Sequence, residues 1–134
     1  MSAQSGSSRL LVPVSVGELI DKITILEVKA ERITDPAKRR NVLAELEVLL
    51  DAKSCFGLDA ARVGPFANEL KSINLALWDI ENAIRGAEAR QDFGPRFIEL
   101  ARSVYQMNDR RARVKYQINL TCESEFVEEK SYTG

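Results

Sequence analysis

The strongest constraint on the fold is the stretch of residues 64–120, which contains two long runs of apolar residues at helical spacing. Each run follows a Gly-Pro pair, Gly64-Pro65 and Gly94-Pro95. The apolar residues recur every three or four positions, so each run places them on one side of a helix. The stripes comprise Phe66, Leu70, Ile73, Leu77, Ile80, Ile84 and Ala87 in the first run, and Phe97, Leu100, Val104, Met107, Val114 and Ile118 in the second.

These two runs predict two long helices that form a hairpin. We expect the helices over roughly Pro65 to Ala89 and Pro95 to Thr121. Because the connection Gln91–Gly94 is short, the two helices should lie antiparallel and side by side. Arg111 stands in the second stripe where the next apolar residue is due.

The chain before this hairpin contains a well-marked helix start. Ser15 followed by Glu18 matches a capping box, in which the serine side chain accepts a hydrogen bond from the backbone N–H three residues later. We expect this first helix to reach about Ile33. Its main stripe is Leu19, Ile23, Leu26, Ala30 and Ile33, and Ile20, Ile25 and Val28 lie off that stripe. Such a helix needs cover on a second side, either from the tails of the chain or from a second subunit.

A second helix is predicted from Asp35-Pro36, with Asp35 as N-cap and Pro36 as first helical residue. We expect it to reach about Ala52, followed by a long, partly docked loop over Ser54 to Gly64. The residues expected to face inward are Val42, Leu43, Leu46, Leu49 and Leu50.

The predicted architecture is therefore all-α. It has four main helices arranged as two antiparallel helical hairpins. Residues 1–9 are predicted to be a flexible tail, and residues 10–134 a single helical domain. Leu10 to Val14 is an extended lead-in that could pack against the body, and the acidic C-terminal segment is expected to dock, with Ser131 and Tyr132 as anchors.

The composition limits the classes of partner. With 134 residues, 45% of them hydrophobic and 29% charged, the chain has the size of one ordinary domain. Its net charge is −1, without the basic excess of a nucleic-acid-binding protein. Neither a signal peptide nor an apolar run of about 20 residues is present. We therefore expect a cytoplasmic protein that neither binds nucleic acid nor inserts into a membrane.

The chain contains no histidine, which is its most informative absence. The commonest general base and the commonest transition-metal ligand are missing with it. Cys55 and Cys122 lack metal-ligand spacing and are expected to be reduced thiols. No catalytic residue, metal site or cofactor is predicted.

A candidate site lies where polar residues follow the margins of the two long helices. The first helix of the hairpin carries Asn74, Trp78, Glu81 and Arg85, and the second carries Tyr105, Asn108, Lys115 and Asn119 beside Arg111. If the hairpin closes at residues 91–94, Asn74 comes level with Asn108. The residues predicted to bind a ligand are Asn74, Trp78, Glu81, Arg85, Asn108, Arg111 and Lys115.

Two interpretations of this candidate site remain open. As a pocket for an anionic small molecule, it would use bidentate contacts from Arg111, a point charge from Lys115 and ring stacking on Trp78 or Tyr105. As a structural network, it would fix the register of the helices, with Arg111 paired to a carboxylate. Glu81 and Arg85, four residues apart, are by themselves typical of a surface ion pair.

Three segments carry a resemblance to a known family. Residues 14–26, with the sequence VSVGELIDKITIL, resemble the opening signature of a family of short bacterial proteins that is catalogued as a domain of unknown function. Asn108-Asp109-Arg110-Arg111 and the closing residues 127–132, VEEKSY, are similar to the same family. The resemblance implies a bacterial origin and an all-helical fold, and it implies no activity.

A second resemblance covers the long hairpin alone. Residues 74–85 and 108–118 are similar to another uncharacterised bacterial helical family, often found among surface-polysaccharide and glycosyltransferase genes. The leading hypothesis is therefore a non-enzymatic module that binds a partner protein and its own copy in cell-surface polysaccharide biosynthesis. Self-association is motivated by Ile25 and Val28. The alternative is a binding protein for a phosphate, a sugar phosphate or another anion, or a small enzyme, that uses the polar cluster between the long helices.

Overall fold

A computed structural model describes residues 8–131 and contains four helices. They are α1 (Val16–Arg32), α2 (Pro36–Phe56), α3 (Ala60–Ala89) and α4 (Pro95–Thr121). Residues 8–131 contain no strand. The predicted all-α class, with four main helices in two antiparallel hairpins, is confirmed. Most of the predicted tail and the predicted anchor Tyr132 lie outside the described residues.

Helix α1 lies at the centre of the fold, in contact with each of the other three helices. This arrangement covers most of its apolar residues, whereas Ile25 is only partly buried. Ile20 and Val28, both off the predicted stripe, are 1% and 2% exposed. Ile20 and Val28 are therefore covered by this chain's own helices. The expectation that Val28 marks a surface for a second subunit was wrong.

The main core forms where α1 meets α3 and α4. Its buried members are Val16, Ile20, Val63, Leu70, Ile73, Val114 and Ile118. Most of the α3 and α4 members belong to the stripes that the sequence predicts. Burial of such side chains contributes roughly 1.5–3 kcal/mol each, so this cluster is the main source of stability for the hairpin.

Side-chain caps define the starts of the first two helices as expected. The Oγ of Ser15 accepts from the backbone N–H of Glu18 at 3.0 Å. An Asp35 carboxylate oxygen accepts from the backbone N–H of Lys38 at 2.9 Å, and Pro36 is the first residue of α2. These contacts satisfy N–H groups that have no partner within their own helix.

The predicted start of α3 at Pro65 was wrong, because Pro65 lies inside the helix. Asp59 is the N-cap, and its carboxylate accepts from the backbone N–H of Ala61 at 3.0 Å. The turn before Pro65 carries Val63, which is 1% exposed. Burial of this valine and the cap at Asp59 stabilise a helix start ahead of Pro65. The proline costs the helix only one backbone hydrogen-bond donor. The predicted loop over residues 54–64 is accordingly reduced to residues 57–59.

Helix α2 is less buried than predicted. Among the described residues it contacts α1 alone, and only Val42 on it is buried. Leu43 and Leu50 are 38% and 41% exposed, so the prediction that they face inward was wrong. The helix ends at Phe56, where Gly57 adopts a left-handed conformation with φ of 76°. Cys55 therefore lies in the last turn of α2, where it is exposed, instead of in a loop.

The ends of the described chain differ in their contacts. The lead-in residues 10–12 and Val14 are exposed, so this segment does not pack against the body as proposed. The C-terminal segment, residues 123–131, returns to α1 and α4 through Ser124 and Glu128. Within residues 8–131, no helix combines the length and hydropathy that crossing a membrane requires.

Candidate functional site

A buried carboxylate, that of Asp21 on α1, lies at the centre of the candidate site. Its side chain is fully buried. The guanidinium of Arg111 on α4 donates to it as a fork: Nε lies 3.0 Å from both carboxylate oxygens, and Nη2 lies 2.5 Å from Oδ2. Bidentate, charge-assisted hydrogen bonds of this kind are among the strongest polar contacts in proteins. The pair joins the central helix to the second arm of the long hairpin.

The side-chain amide of Asn74 completes the bonding of this carboxylate, and Thr24 and Asn108 bond the groups around it. Asn74 Nδ2 on α3 lies 3.0 Å from Asp21 Oδ1 and 3.0 Å from the Oγ1 of Thr24. The Thr24 hydroxyl donates in turn to the backbone carbonyl of Asp21 at 2.8 Å. Arg111 Nη1 approaches the side-chain oxygen of Asn108 at 3.4 Å. We refer to Asp21, Thr24, Asn74, Asn108 and Arg111 as the polar cluster.

Lys115, one turn after Arg111 on α4, connects the polar cluster to two further carboxylates. Its Nζ lies 2.7 Å from Glu18, 3.1 Å from Glu128 and 3.8 Å from Asp21. Burial lowers the pKa of this ammonium, whereas hydrogen bonds to Glu18 and Glu128 raise it, and the resulting pKa lies above the ordinary 10.5. Lys115 is therefore a cation held in place and not a proton acceptor at neutral pH.

The N-terminus of α1 is held by the end of α4 and by the C-terminal segment. The backbone N–H of Val16 donates to Ser124 Oγ at 3.0 Å, and that of Gly17 donates to Asn119 Oδ1 at 2.6 Å. Ser15 Oγ also lies 3.4 Å from a carboxylate oxygen of Glu128. The side chain of the N-cap and the first two backbone N–H groups of α1 thus each contact a residue more than a hundred positions later in the chain.

An open groove lies beside the polar cluster, between α1, α3 and α4. Its volume is about 500 Å³, within the range of small-molecule sites. The polar cluster closes one side of it through Asn74, Asn108 and Arg111. The remaining lining residues are Ile25, Val28, Lys29, Leu77, Trp78, Glu81, Asn82 and Arg85. We refer to this cavity as the α1–α3–α4 groove.

Six of the seven predicted site residues line this groove: Asn74, Trp78, Glu81, Arg85, Asn108 and Arg111. Lys115 lies outside it, at a smaller depression of about 280 Å³ that it shares with Glu128. Tyr105, considered for ring stacking, is 54% exposed and does not line the groove. Asn74 and Asn108 come together as expected, which supports the register assumed for the hairpin.

The predicted residues fall into two groups by their contacts. Asn74, Asn108, Arg111 and Lys115 are engaged within the protein, as the structural-network interpretation requires. Trp78 and Arg85 are available on the open side of the groove. Arg85 reaches the Glu81 carboxylate only at 3.9 Å, and both side chains are substantially exposed, which fits a surface ion pair.

Sequence reasoning did not identify the acidic partners. Asp21 is a single acid between Ile20 and Ile23, and this position inside an apolar run was the available signal that its carboxylate is buried. The sequence predicts Glu18 as the second member of the capping box. Its carboxylate instead bonds Lys115, so Ser15 supplies the cap without the reciprocal contact.

Stability is expected to decrease when the pH rises past the pKa of Lys115. The folded pKa lies above the ordinary 10.5, so the ion pairs of Lys115 contribute fully below that pH and are lost as the pH rises through the folded value. Urea denaturation of the wild type and of Lys115→Gln, from neutral pH to about pH 11.5, would measure this. The wild type should lose stability more steeply above pH 10.5 than the variant.

Lys22→Gln is the control, because Lys22 forms an exposed pair with Glu45 at 3.5 Å. In this variant the free energy of unfolding should fall with pH as steeply as in the wild type. If the free energy of unfolding falls equally steeply in the wild type and in Lys115→Gln, the assigned role of Lys115 is wrong.

These features define a class of all-α domain in which a buried ion pair ties a central helix to a long helical hairpin beside an open groove. The chain belongs to the family of unknown function DUF6165, whose family model matches residues 10–134. The expectation of an uncharacterised domain family is thereby confirmed. Neither a curated protein nor a solved structure gives a significant match to this chain.

Proposed function

We propose that this protein is a non-enzymatic binding module whose α1–α3–α4 groove binds a small anionic molecule that carries a ring, such as a sugar phosphate. The observation that carries the proposal is the composition of the groove. An accessible tryptophan, side-chain amides and cations line a single cavity of about 500 Å³. Convergence of an aromatic surface with a few polar groups is typical of small-molecule sites.

The charges of the groove favour an anion. Lys29, Arg85 and Arg111 line it, against Glu81 and the adjoining Asp21. Asp21 neutralises Arg111. Among residues 8–131 Lys29 has no ion-pair partner, and the contact of Arg85 with Glu81 is loose. Lys29 and Arg85 therefore remain to bind a phosphate or carboxylate at the rim.

The uncharged groups of the groove favour a polar ring. The indole of Trp78 presents a flat surface on which the apolar face of a sugar or a base can lie. The side-chain amides of Asn82 and Asn108 line the same groove and offer both donors and acceptors for hydroxyl groups. A purely apolar ligand would leave these amides without partners, at a cost in affinity.

The state of the buried charges supports binding over catalysis. Hydrogen bonding to Asp21 raises the pKa of Arg111 in spite of its burial. Burial lowers the pKa of Lys115, but its contacts with Glu18 and Glu128 raise that pKa above the ordinary value. Neither group can accept a proton near neutral pH. The carboxylate of Asp21 is surrounded by donors, so it is not placed to act on a ligand in the groove.

We place this binding in cell-surface polysaccharide biosynthesis of a bacterium, and the support is the resemblance of the long hairpin to a helical family found among glycosyltransferase genes. A sugar phosphate is a chemically suitable ligand in that setting.

A direct test uses Trp78, which is the single tryptophan of the chain. Its fluorescence should change on titration with glucose 1-phosphate, used as the probe. Glucose and inorganic phosphate should each bind more weakly, since each offers one half of the proposed contacts. Lys29→Ala and Arg85→Ala should each weaken the binding of glucose 1-phosphate by about tenfold.

Arg102→Ala is the matched control, because Arg102 is an exposed α4 cation that does not line the groove. It should leave the affinity unchanged, and all three variants should keep the wild-type melting temperature. An emission spectrum that no phosphorylated sugar changes, or an equal loss of affinity in all three variants, would refute the proposal.

A further inference from the structure

Helix α2 leaves one apolar side uncovered. Leu43 and Leu50 are 38% and 41% exposed, and a spacing of seven residues points them in the same direction. Leu46, between them, is half-buried at the edge of the contact with α1. Among the described residues α2 contacts only α1, so its far side has no partner within the chain. We refer to Leu43, Leu46 and Leu50 as the α2 stripe.

The charges of α2 are segregated along its length. Its first two turns carry the exposed cations Lys38, Arg39 and Arg40, and the following turns carry the exposed acids Glu45, Glu47 and Asp51. Lys53, near the C-terminal end, is the one later cation on the helix. Arg39 and Glu45 already contact α1: Arg39 Nε donates to the Ala30 carbonyl at 2.9 Å, and Glu45 pairs with Lys22 at 3.5 Å. The helix therefore has a basic N-terminal half followed by a predominantly acidic C-terminal half, and Lys38, Arg40, Glu47 and Asp51 remain for contacts with a second helix.

We propose that the α2 stripe is a self-association surface that binds the α2 stripe of a second copy in an antiparallel arrangement. A two-fold axis makes the two surfaces identical and lets each stripe bury the other. The antiparallel direction brings the basic half of each α2 beside the acidic half of its partner. A parallel pair would place like charges together, which disfavours it.

The charge pattern identifies a second copy as the occupant. The α2 surface is self-complementary: the same helix supplies both the cations and the acids that an antiparallel pair requires. A foreign helix would need its own matching order of charges. A second copy carries that order because its sequence is identical. The apolar contact supplies the affinity and the charges select the direction.

The first test is sedimentation equilibrium of the full chain over a concentration series up to millimolar. The wild type should reach a dimer, and Leu43→Glu should raise the dissociation constant by at least about tenfold. Val48→Glu is the matched control, because Val48 is also 38% exposed but lies on another side of α2. It should leave the dissociation constant within about twofold of the wild type.

A charge exchange tests the direction of the pair. Lys38→Glu combined with Arg40→Glu should weaken the dimer, because both halves of α2 then become acidic. Adding Glu47→Lys and Asp51→Lys to the same chain should restore it. All four side chains are exposed, so the variants should fold, which circular dichroism would verify.

Three results would overturn the proposal. A wild type that stays monomeric at every concentration would mean that the stripe is free or binds a different protein. Equal effects of Leu43→Glu and Val48→Glu would place self-association elsewhere. A charge exchange that fails to restore the dimer would exclude the antiparallel arrangement.

Discussion

Replacing Arg111 by methionine is expected to lower the free energy of unfolding by about 3–5 kcal/mol, because it leaves the carboxylate of Asp21 buried without its cation. Asp21 has no exposed side-chain surface in the wild type, so its carboxylate depends on protein donors for its hydrogen bonds. Lys115, at 3.8 Å, is too far away for a direct hydrogen bond. Urea denaturation monitored by circular dichroism would measure the change.

Two further variants test whether the loss of stability comes from the Asp21–Arg111 ion pair. Arg85→Met introduces the same substitution at an exposed position and should change stability by no more than about 0.5 kcal/mol. Asp21→Leu combined with Arg111→Met removes both charges and should regain most of the loss, since an apolar pair of similar volume often replaces a buried ion pair at little cost. A double variant as unstable as Arg111→Met alone would show that the ion pair is not the source of the effect.

Replacing Gly17 by alanine is expected to lower the free energy of unfolding by about 2–4 kcal/mol, from overpacking and from weakening of a buried hydrogen bond. A Cβ atom on Gly17 would lie 2.6 Å from the backbone carbonyl oxygen of Lys115 and 3.0 Å from Asn119 Oδ1. The backbone of α4 cannot move aside as a side chain can, so α1 must shift and lengthen the Gly17–Asn119 contact. The melting temperature should fall accordingly.

Gly86→Ala is the control for this prediction. Its Cβ would meet only the end of the flexible Arg90 side chain, at 3.4 Å, inside helix α3. Alanine there should leave stability unchanged or raise it by about 0.5–1 kcal/mol through its better helix propensity. If Gly17→Ala were as stable as Gly86→Ala, the close approach of α1 to α4 would not matter for folding.

The sequence predicted those parts of the fold that short-range signals determine. Ser15 and Asp35 are side-chain caps whose partners lie three residues away, and the short turn at residues 91–94 leaves the hairpin one possible direction. Apolar spacing also predicted most of the α3 and α4 core residues. It failed for α2, because spacing shows that residues share a side and does not show whether another helix is available to cover that side.

The predicted helix start at Pro65 was wrong for a related reason. A proline is common at the first helical position, so the Gly-Pro pair predicts a helix start. The actual start depends on Asp59 and on the burial of Val63 against the other helices, which is a tertiary effect. A rule about local sequence could not include it.

For the candidate site, the α3 and α4 residues were predictable and the α1 residue was not. Asn74, Asn108 and Arg111 stood out because they interrupt or flank regular stripes, and the hairpin turn fixed their register. Asp21 pairs with Arg111 across 90 residues of sequence, and the choice among several acids on α1 depends on how α1 is rotated. That rotation follows from the packing of all four helices.

The contacts that hold α1 have a consequence for how the protein is made. Asp21 bonds a residue that lies 90 positions later, and the backbone of Gly17 bonds one that lies 102 positions later. A ribosome therefore synthesises the first helix well before the groups that satisfy it exist. Native packing of α1 therefore waits until α4 has been synthesised.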